Sequence, residues 1–251
     1  MDALSQTGVP GADYRLTNQR IDLWPILLAG NAEVLQACKA LLSSEELKRA
    51  EAFHFEHIQH QYTFAHGVLR LLLARYANQN PATLHFVTGV RGKPRLASVD
   101  GTEFNLSHSD DVALIGVTTG QEIGVDIEKL RPIRDMDELA QRFFCPAESE
   151  DLSSVAVEQR PDAFFRCWTH KEAYLKAIGD GLRTPLDSFR VTLRPGEPAR
   201  ILQINGSVEE AGKWSLYTID TIPAYAAAVA HAGHARSLRV MRMITPANFV
   251  I

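Results

Sequence analysis

The amino-acid order predicts an α+β protein in two halves, the first spanning 1–119 and the second 120–251. Three observations lead there. Helical and strand-like patterns are mixed without the regular strand-helix alternation of a parallel sheet. Each half has one long stretch with apolar residues at helical spacing, Phe64-Val68-Leu71-Leu72 in the first and Phe165-Trp168-Leu175-Ile178 in the second. The polar run Thr118 to Gln121 reads as a turn between the halves. A hydrophobic fraction of 45% is ample for a packed core.

In chain order, Ile21 to Trp24 alternates as a strand does. Leu41 to Glu46 opens a helix, in which Ser43 can cap and Glu46, three residues on, can answer as a capping box. A second helix covers Gln59 to Ala77 and stops at Asn78 to Pro81. Leu84 to Val87 is a short strand, and Gly89 to Pro94 a glycine-bounded loop. Phe104 to Leu106 and Val112 to Val117 are strands, with Ser107-His108-Ser109 as a polar turn between them. Ile123 to Ile127 is a further strand. Asp135 to Phe144 is a short helix and Phe164 to Ile178 a long one, stopped by Gly179 and Gly181. Phe189 to Leu193, Ala199 to Ile204, Trp214 to Ile219 and Ala224 to Val229 are strands, and Val240 to Ile244 should pair at an edge.

A net charge of -4 argues against a dedicated nucleic-acid binder. The longest apolar runs fall well short of the ~20 residues that span a bilayer. Asp2, Asp13, Arg15 and Arg20 precede Ile26-Leu27-Leu28, which is not the order of a secretion signal. The expectation is a soluble cytoplasmic protein, in which the sequon Asn205-Gly206-Ser207 is idle. Cys38, Cys145 and Cys167 have neither zinc nor redox spacing and read as small core residues. His54, His57, His60 and His66 have helical spacing but no H-E-x-x-H motif, and read as helix-surface residues.

The chemistry-bearing residues begin with Asp126 and Glu128. At i and i+2 on a strand, both carboxylates point to one face. Like charges so placed call for a cation, and a hard divalent ion takes carboxylate oxygens. Glu172 lies on an otherwise apolar helix, with Lys176 one turn on and Lys171 expected as a second nearby positive charge. The plain reading of these residues is a solvated strand end and an exposed Glu-Lys pair. The functional reading joins Glu172 to the metal site or makes it a base, with Lys176 on a phosphate. Lys93, between Gly92 and Pro94, is held in a shaped loop and can meet phosphate as a point charge, though most turn lysines are simply solvated. Ser107 and His108 suit hydrogen bonds to phosphate better than nucleophilic attack, because adjacent residues rarely pair and the G-x-S-x-G elbow is absent. Arg49 can reach the same anion or be plain surface charge.

These residues sit in a recognisable order: Gly92-Lys93-Pro94, then Phe104-Asn105-Leu106-Ser107-His108-Ser109, then Gly124-Val125-Asp126-Ile127-Glu128. Arg142-Phe143-Phe144 and Pro146 to Glu148 follow, and then Trp168-Thr169-His170-Lys171-Glu172-Ala173-Tyr174-Leu175-Lys176 and Gly179-Asp180-Gly181-Leu182. From about Leu41 to Phe189 the chain resembles the 4'-phosphopantetheinyl transferases, in particular the surfactin-synthetase-activating type with two fused halves.

The resemblance implies a pseudo-twofold pair of similar α+β subdomains, each with helices on a mostly antiparallel sheet, and a monomer. It implies transfer of phosphopantetheine from coenzyme A to a serine of an apo acyl or peptidyl carrier protein, releasing adenosine 3',5'-bisphosphate. Neither nucleic acid nor membrane is an implied partner. Mg2+, with Mn2+ as the alternative ion, would be held by Asp126, Glu128 and Glu172, in the second half. Glu172 matches the proposed base, supported in catalysis by Asp126 and Lys176, and Lys176 matches the lysine near the pyrophosphate. Arg49, Lys93, Ser107, His108, Asp126 and Lys176 match positions that contact coenzyme A, with His108 near the 3'-phosphate; the first half would carry coenzyme A and carrier contacts.

Gln61, Ala52 and Glu46 depart from the basic residues that relatives carry there, and Ile127 offers no side-chain ligand between the acids. Two other readings remain open. One is another metal-dependent phosphoryl-transfer enzyme; the other is a non-catalytic module that binds coenzyme A or a carrier protein.

Overall fold

The computed structural model describes residues 12–89, 92–97 and 101–249. The chain forms two compact units. The first comprises residues up to 87, 94–120 and the segment from 238 onward; the second comprises 88–93 and 121–237.

The first unit contains β1 (Arg20–Leu27), α1 (Ala32–Lys39), α2 (Ser44–Glu51) and α3 (Glu56–Ala77). A short hairpin of β2 (Phe86–Thr88) and β3 (Pro94–Leu96) follows, then β4 (Thr102–Ser109) and β5 (Val112–Thr119). β5 is central, antiparallel to both β1 and β4, with Ile115 opposite Trp24 on one side and Leu106 on the other. The apolar side of α3, with Phe64, Val68, Leu72 and Leu73, shares one core with Trp24, Ile26, Phe104 and Val117. Ser107 to Ser109 therefore lie in strand β4, not in a turn. Backbone pairing with β5 continues here, with Ser107, His108 and Ser109 opposite Leu114, Ala113 and Val112, and this carries the strand on past Leu106.

The second unit contains β6 (Ile123–Lys129), α4 (Met136–Phe143), α5 (Pro146–Ser154) and α6 (Arg160–Ile178). It continues with β7 (Phe189–Val191), β8 (Ile201–Ile204), α7 (Val208–Ala211), β9 (Trp214–Thr218) and β10 (Tyr225–Ala232). β10 is central between β6 and β9, antiparallel to both. Helix α6 packs on this sheet, where Ala173 and Ala177 share a core with Ala228 and Ala230. It begins four residues before the expected Phe164, because Pro161 in the first turn removes only an amide that has no partner there. Helices α1, α5 and α7 were not expected. Asn31 caps α1 by accepting from the Val34 amide at 3.0 Å, and Pro146 opens α5. No helix among the described residues is long and apolar enough to cross a membrane.

The last strand, β11 (Ser237–Val240), lies at the edge of the first unit's sheet beside β1. Its Arg239 reaches both carboxylate oxygens of buried Asp22, at 2.8 and 2.6 Å. Tyr76 donates to the same carboxylate at 2.8 Å and accepts from Trp24 Nε1 at 2.9 Å. A buried carboxylate needs such partners, and here they tie the chain's end to β1 and α3.

The start of α2 has the expected capping box: Ser43 Oγ accepts from the Glu46 amide at 3.3 Å, and Glu46 Oε2 accepts from the Ser43 amide at 2.8 Å. Glu46 does more than cap. Arg70 on α3, buried, donates to its Oε2 at 2.7 Å and to the Pro81 and Leu84 carbonyls at 3.1 Å each. Burial pushes the Glu46 carboxyl up, but hydrogen bonds from His66, the Ser43 amide and Arg70 together hold it down at about 2. The acid that departs from the family pattern is thus the counter-charge of a buried arginine. Glu46→Ala should cost about 3 kcal/mol in urea unfolding, since it strands that guanidinium. A loss under about 1 kcal/mol, the value of an ordinary cap, would contradict this account.

Candidate active site

The site is built where β6 meets α6. Strand alternation puts Gly124, Asp126 and Glu128 on one face of β6. A Cβ at Gly124 would lie 2.0 Å from the Ala173 carbonyl oxygen and 2.3 Å from the Ala177 amide nitrogen, so only glycine lets α6 lie this close. The face that carries Gly124 is therefore the α6 face, and it carries the two acids as well. On α6, Trp168, Glu172 and Lys176 follow one another at four-residue spacing and form one stripe.

Asp126 is 2% exposed. Its Oδ1 accepts from Lys176 Nζ at 2.6 Å. Burial raises the Asp126 carboxyl from 3.8 to about 6; Lys176 opposes this, while Glu128 and Glu172 add to it. Glu172 is also raised, first by burial and then by Glu128, again against Lys176. The three carboxylates thus share one electrostatic field, with the Lys176 ammonium inside it. Among the described residues, no three His, Cys, Asp or Glu side chains stand in ligating geometry as a group. The donor set still fits a hard divalent ion: all oxygen, clustered like charge, and a cation already drawn to Asp126.

Lys171 does not belong to this cluster, contrary to the sequence expectation. One helical position from Glu172 turns it about 100° around the axis, onto a face where it is fully buried. Its Nζ lies 2.8 Å from Glu148 Oε2 and donates to the Leu186 and Phe189 carbonyls at 2.8 and 2.6 Å. Glu148 in turn accepts from the Cys145 and Val191 amides at 2.9 and 2.7 Å. A buried pair with its remaining valences filled in this way fixes geometry, and it joins α5, α6 and β7. His170 is buried too, with Nδ1 2.8 Å from the Thr192 carbonyl and Nε2 2.8 Å from Thr218 Oγ1. Burial pushes it down to about 3, so the ring is neutral. The W-x-H-K-E-x-x-x-K stretch therefore serves two purposes. His170 and Lys171 anchor the helix; Glu172 and Lys176 face the acids.

A cavity of about 350 Å³ opens beside Glu128. Ile133, Leu139, Phe164, Phe165 and Trp168 line it with apolar surface, and Arg131 and Arg134 add charge. The sequence reading did not identify these arginines. The signal was there, in two basic residues flanking Pro132-Ile133 directly after the acid strand, but the bend that brings them beside Glu128 was not.

The remaining expected residues belong to other elements. Lys93 is in the second unit and is buried, not a solvated turn lysine. Arg49, exposed on α2, and Ser107 and His108 on β4 belong to the first unit. Ser107 is buried and His108 exposed, as neighbours on a strand send side chains to opposite faces. That excludes a Ser-His nucleophilic dyad. The cysteines are buried and free, and burial raises the thiols, Cys38 to about 12, so none is a nucleophile at neutral pH. His66 is half-buried and stacks on Tyr62 at 3.9 Å, and His54 and His57 are exposed, with no metal cluster among them.

Three carboxylates and a lysine thus share one field where β6 meets α6, beside an apolar cavity. Comparison with known proteins gives the family. Residues 122–230 match the 4'-phosphopantetheinyl transferase superfamily. The chain is 41% identical over 221 residues to 4'-phosphopantetheinyl transferase HetI of Nostoc sp., covering 87% of this chain and 90% of that one. It is 30% identical to 4'-phosphopantetheinyl transferase psf-1 of Bacillus pumilus, over 92% of this chain and 98% of that one. It is 32% identical to 4'-phosphopantetheinyl transferase Sfp of Bacillus subtilis, over 61% of this chain and 67% of that one. The chain belongs to the 4'-phosphopantetheinyl transferase superfamily, and it is an enzyme of that class.

The raised Asp126 carboxyl gives a pH signature. In the folded, metal-free protein it holds its proton between pH 3.8 and about 6, whereas the unfolded chain does not. The folded state then binds more protons, so stability falls as pH rises through that window. The fall should amount to about 3 kcal/mol. Chelator-treated Asp126→Asn should lose this slope in urea titrations from pH 4 to 7 (about that range); an unchanged slope would assign it to another group.

Proposed function

We propose that this enzyme transfers the 4'-phosphopantetheine group of coenzyme A to a serine of an apo acyl or peptidyl carrier protein, in the cytoplasm and as a monomer. The observation that carries the reading is the Asp126-Glu128-Glu172 cluster with Lys176 at its centre. The names of the relatives support the group transferred.

Asp126, Glu128 and Glu172 would hold Mg2+ or Mn2+, which would supply charge neutralisation for the pyrophosphate. The rest follows from this chain's residues. Lys176, 30% exposed at its side chain, would donate to a pyrophosphate oxygen as well as to Asp126 Oδ1. Glu172, half-buried and with its carboxyl raised, is suited to take the proton from the carrier serine Oγ. That oxygen forms a bond to the phosphorus bearing the pantetheine arm. The phosphoanhydride bond breaks, and adenosine 3',5'-bisphosphate leaves with the bond's electron pair. Arg49, Ser107 and His108 remain proposed coenzyme A contacts; Lys93 is set apart from them, because its Nζ is already engaged by the Ile123 and Ala177 carbonyls. Trp168 and Phe164 offer apolar surface to the arm, and Arg131 and Arg134 offer charge to an acidic carrier.

The test is the mass of the carrier. Incubated with the enzyme, coenzyme A and Mg2+, an apo carrier should gain about 340 Da, the arm's mass, in this metal-assisted transfer. Glu172→Gln should keep coenzyme A binding but slow transfer by at least roughly 100-fold, the contribution of a positioned base. A panel of apo carriers that gains no mass with folded enzyme would overturn the transferase reading. Unaltered turnover in Glu172→Gln would remove the base from that residue.

A further inference from the structure

Lys93 is 8% exposed, an unusual state for a lysine drawn from a Gly-Lys-Pro loop. Its Nζ donates to the Ile123 carbonyl at 2.6 Å and to the Ala177 carbonyl at 3.1 Å. Ile123 begins β6, three residues before Asp126, and Ala177 follows Lys176 in the last turn of α6. One ammonium thus bridges the strand and the helix that carry the acid cluster. The bridge lies next to Gly124, where the helix and strand backbones come nearest. The carbonyl at Ala177 belongs to the helix's last turn, where carbonyls lack helical partners and negative dipole charge collects. A lysine placed there supplies that carbonyl with a donor and meets that charge.

We propose that the Lys93 side chain is a positioning clamp. It sets the spacing of β6 and α6, and with it the distances among Asp126, Glu128, Glu172 and Lys176. This is a different role from direct phosphate contact. Two of the three ammonium donors are engaged by backbone oxygens inside the second unit, and the stem is buried with them. The loop's own backbone is pinned by the Gly89 amide donating to the Lys93 carbonyl at 2.9 Å, and by the Gly92 amide donating to the Gly89 carbonyl at 2.9 Å. Lys93 therefore extends its ammonium from a hydrogen-bonded backbone position. The inference rests on the transferase reading for its consequence in catalysis, but not for the clamp itself.

The clamp and a phosphate contact give opposite kinetic patterns. Removing a positioning group misaligns the reacting atoms once substrate is bound, so kcat falls by roughly ten- to a hundredfold. Removing a phosphate contact weakens coenzyme A binding instead. Lys93→Met keeps the stem and removes the donors. The expected result is that drop in kcat, with the coenzyme A dissociation constant, measured by calorimetry without metal, within about twofold of the parent. Backbone amide exchange should speed up at the start of β6 and the end of α6 but not in the first unit.

A second measurement needs no variant. With 15N-labelled lysines, the Lys93 ammonium signal should stay in place on adding coenzyme A, while that of Lys176 moves. If Lys93→Met fails to fold, that titration and the same kinetics on Lys93→Arg decide. A Lys93 signal that shifts with coenzyme A, or a variant with parental kcat and weakened coenzyme A binding, overturns the clamp. The exchange readout uses neither coenzyme A nor carrier, so failure of the transferase reading would leave it standing.

Discussion

The site depends on how closely α6 approaches β6. Charges of one sign do not gather without cause, and here the backbone gathers them. Gly124 has no side chain, Ala228 and Ala230 beside it have small ones, and α6 presents Ala173 and Ala177 in return. The helix sinks onto the sheet and carries Glu172 and Lys176 toward Asp126 and Glu128. Burial then does the electrostatic work. It raises the Asp126 and Glu172 carboxyls, and it makes a positive charge at that point more favourable than it would be in water. Lys176 supplies that charge in the structure. In the proposed reaction a divalent ion would add to that charge, and a substrate pyrophosphate would be its counter-charge.

Such a cluster is costly to hold, and the surrounding unit is built to hold it. Lys171 and Glu148, both fully buried, lock the far side of α6 to α5 and β7. His170 bonds to Thr192 and Thr218 and stays neutral. Lys93 bridges the near side. The polar residues of α6 thus divide by helical face. Those on the buried faces meet every bond they can make within the fold. Those on the Trp168-Glu172-Lys176 stripe are left with chemistry to do.

Much of this was legible in the sequence because it follows from short periods. Period two along Ile123 to Ile127 placed Asp126 and Glu128 on one face before any fold was known. A spacing of four placed Glu172 with Lys176, and the Ser43-to-Glu46 interval announced the capping box that the structure has. The order of motifs identified the family. The sequence reading went astray where one residue's fate rests on another far away in the chain. Lys171 looked like a second positive charge near Glu172 because its true partner, Glu148, lies on a helix that no periodicity announced. Ser107 to Ser109 looked like a turn because their polarity masked the strand pairing with Val112 to Leu114.

The sequence alone therefore determined the residue types, their faces and the class of chemistry, since local geometry is fixed by the repeat of strand and helix. The tertiary structure decided which charges are buried, which cation meets which carboxylate, and that Lys93 grips backbone carbonyls inside its unit. Those outcomes turn on desolvation and on distances of a few ångströms between segments far apart in the chain. No local pattern encodes either quantity; packing alone sets them.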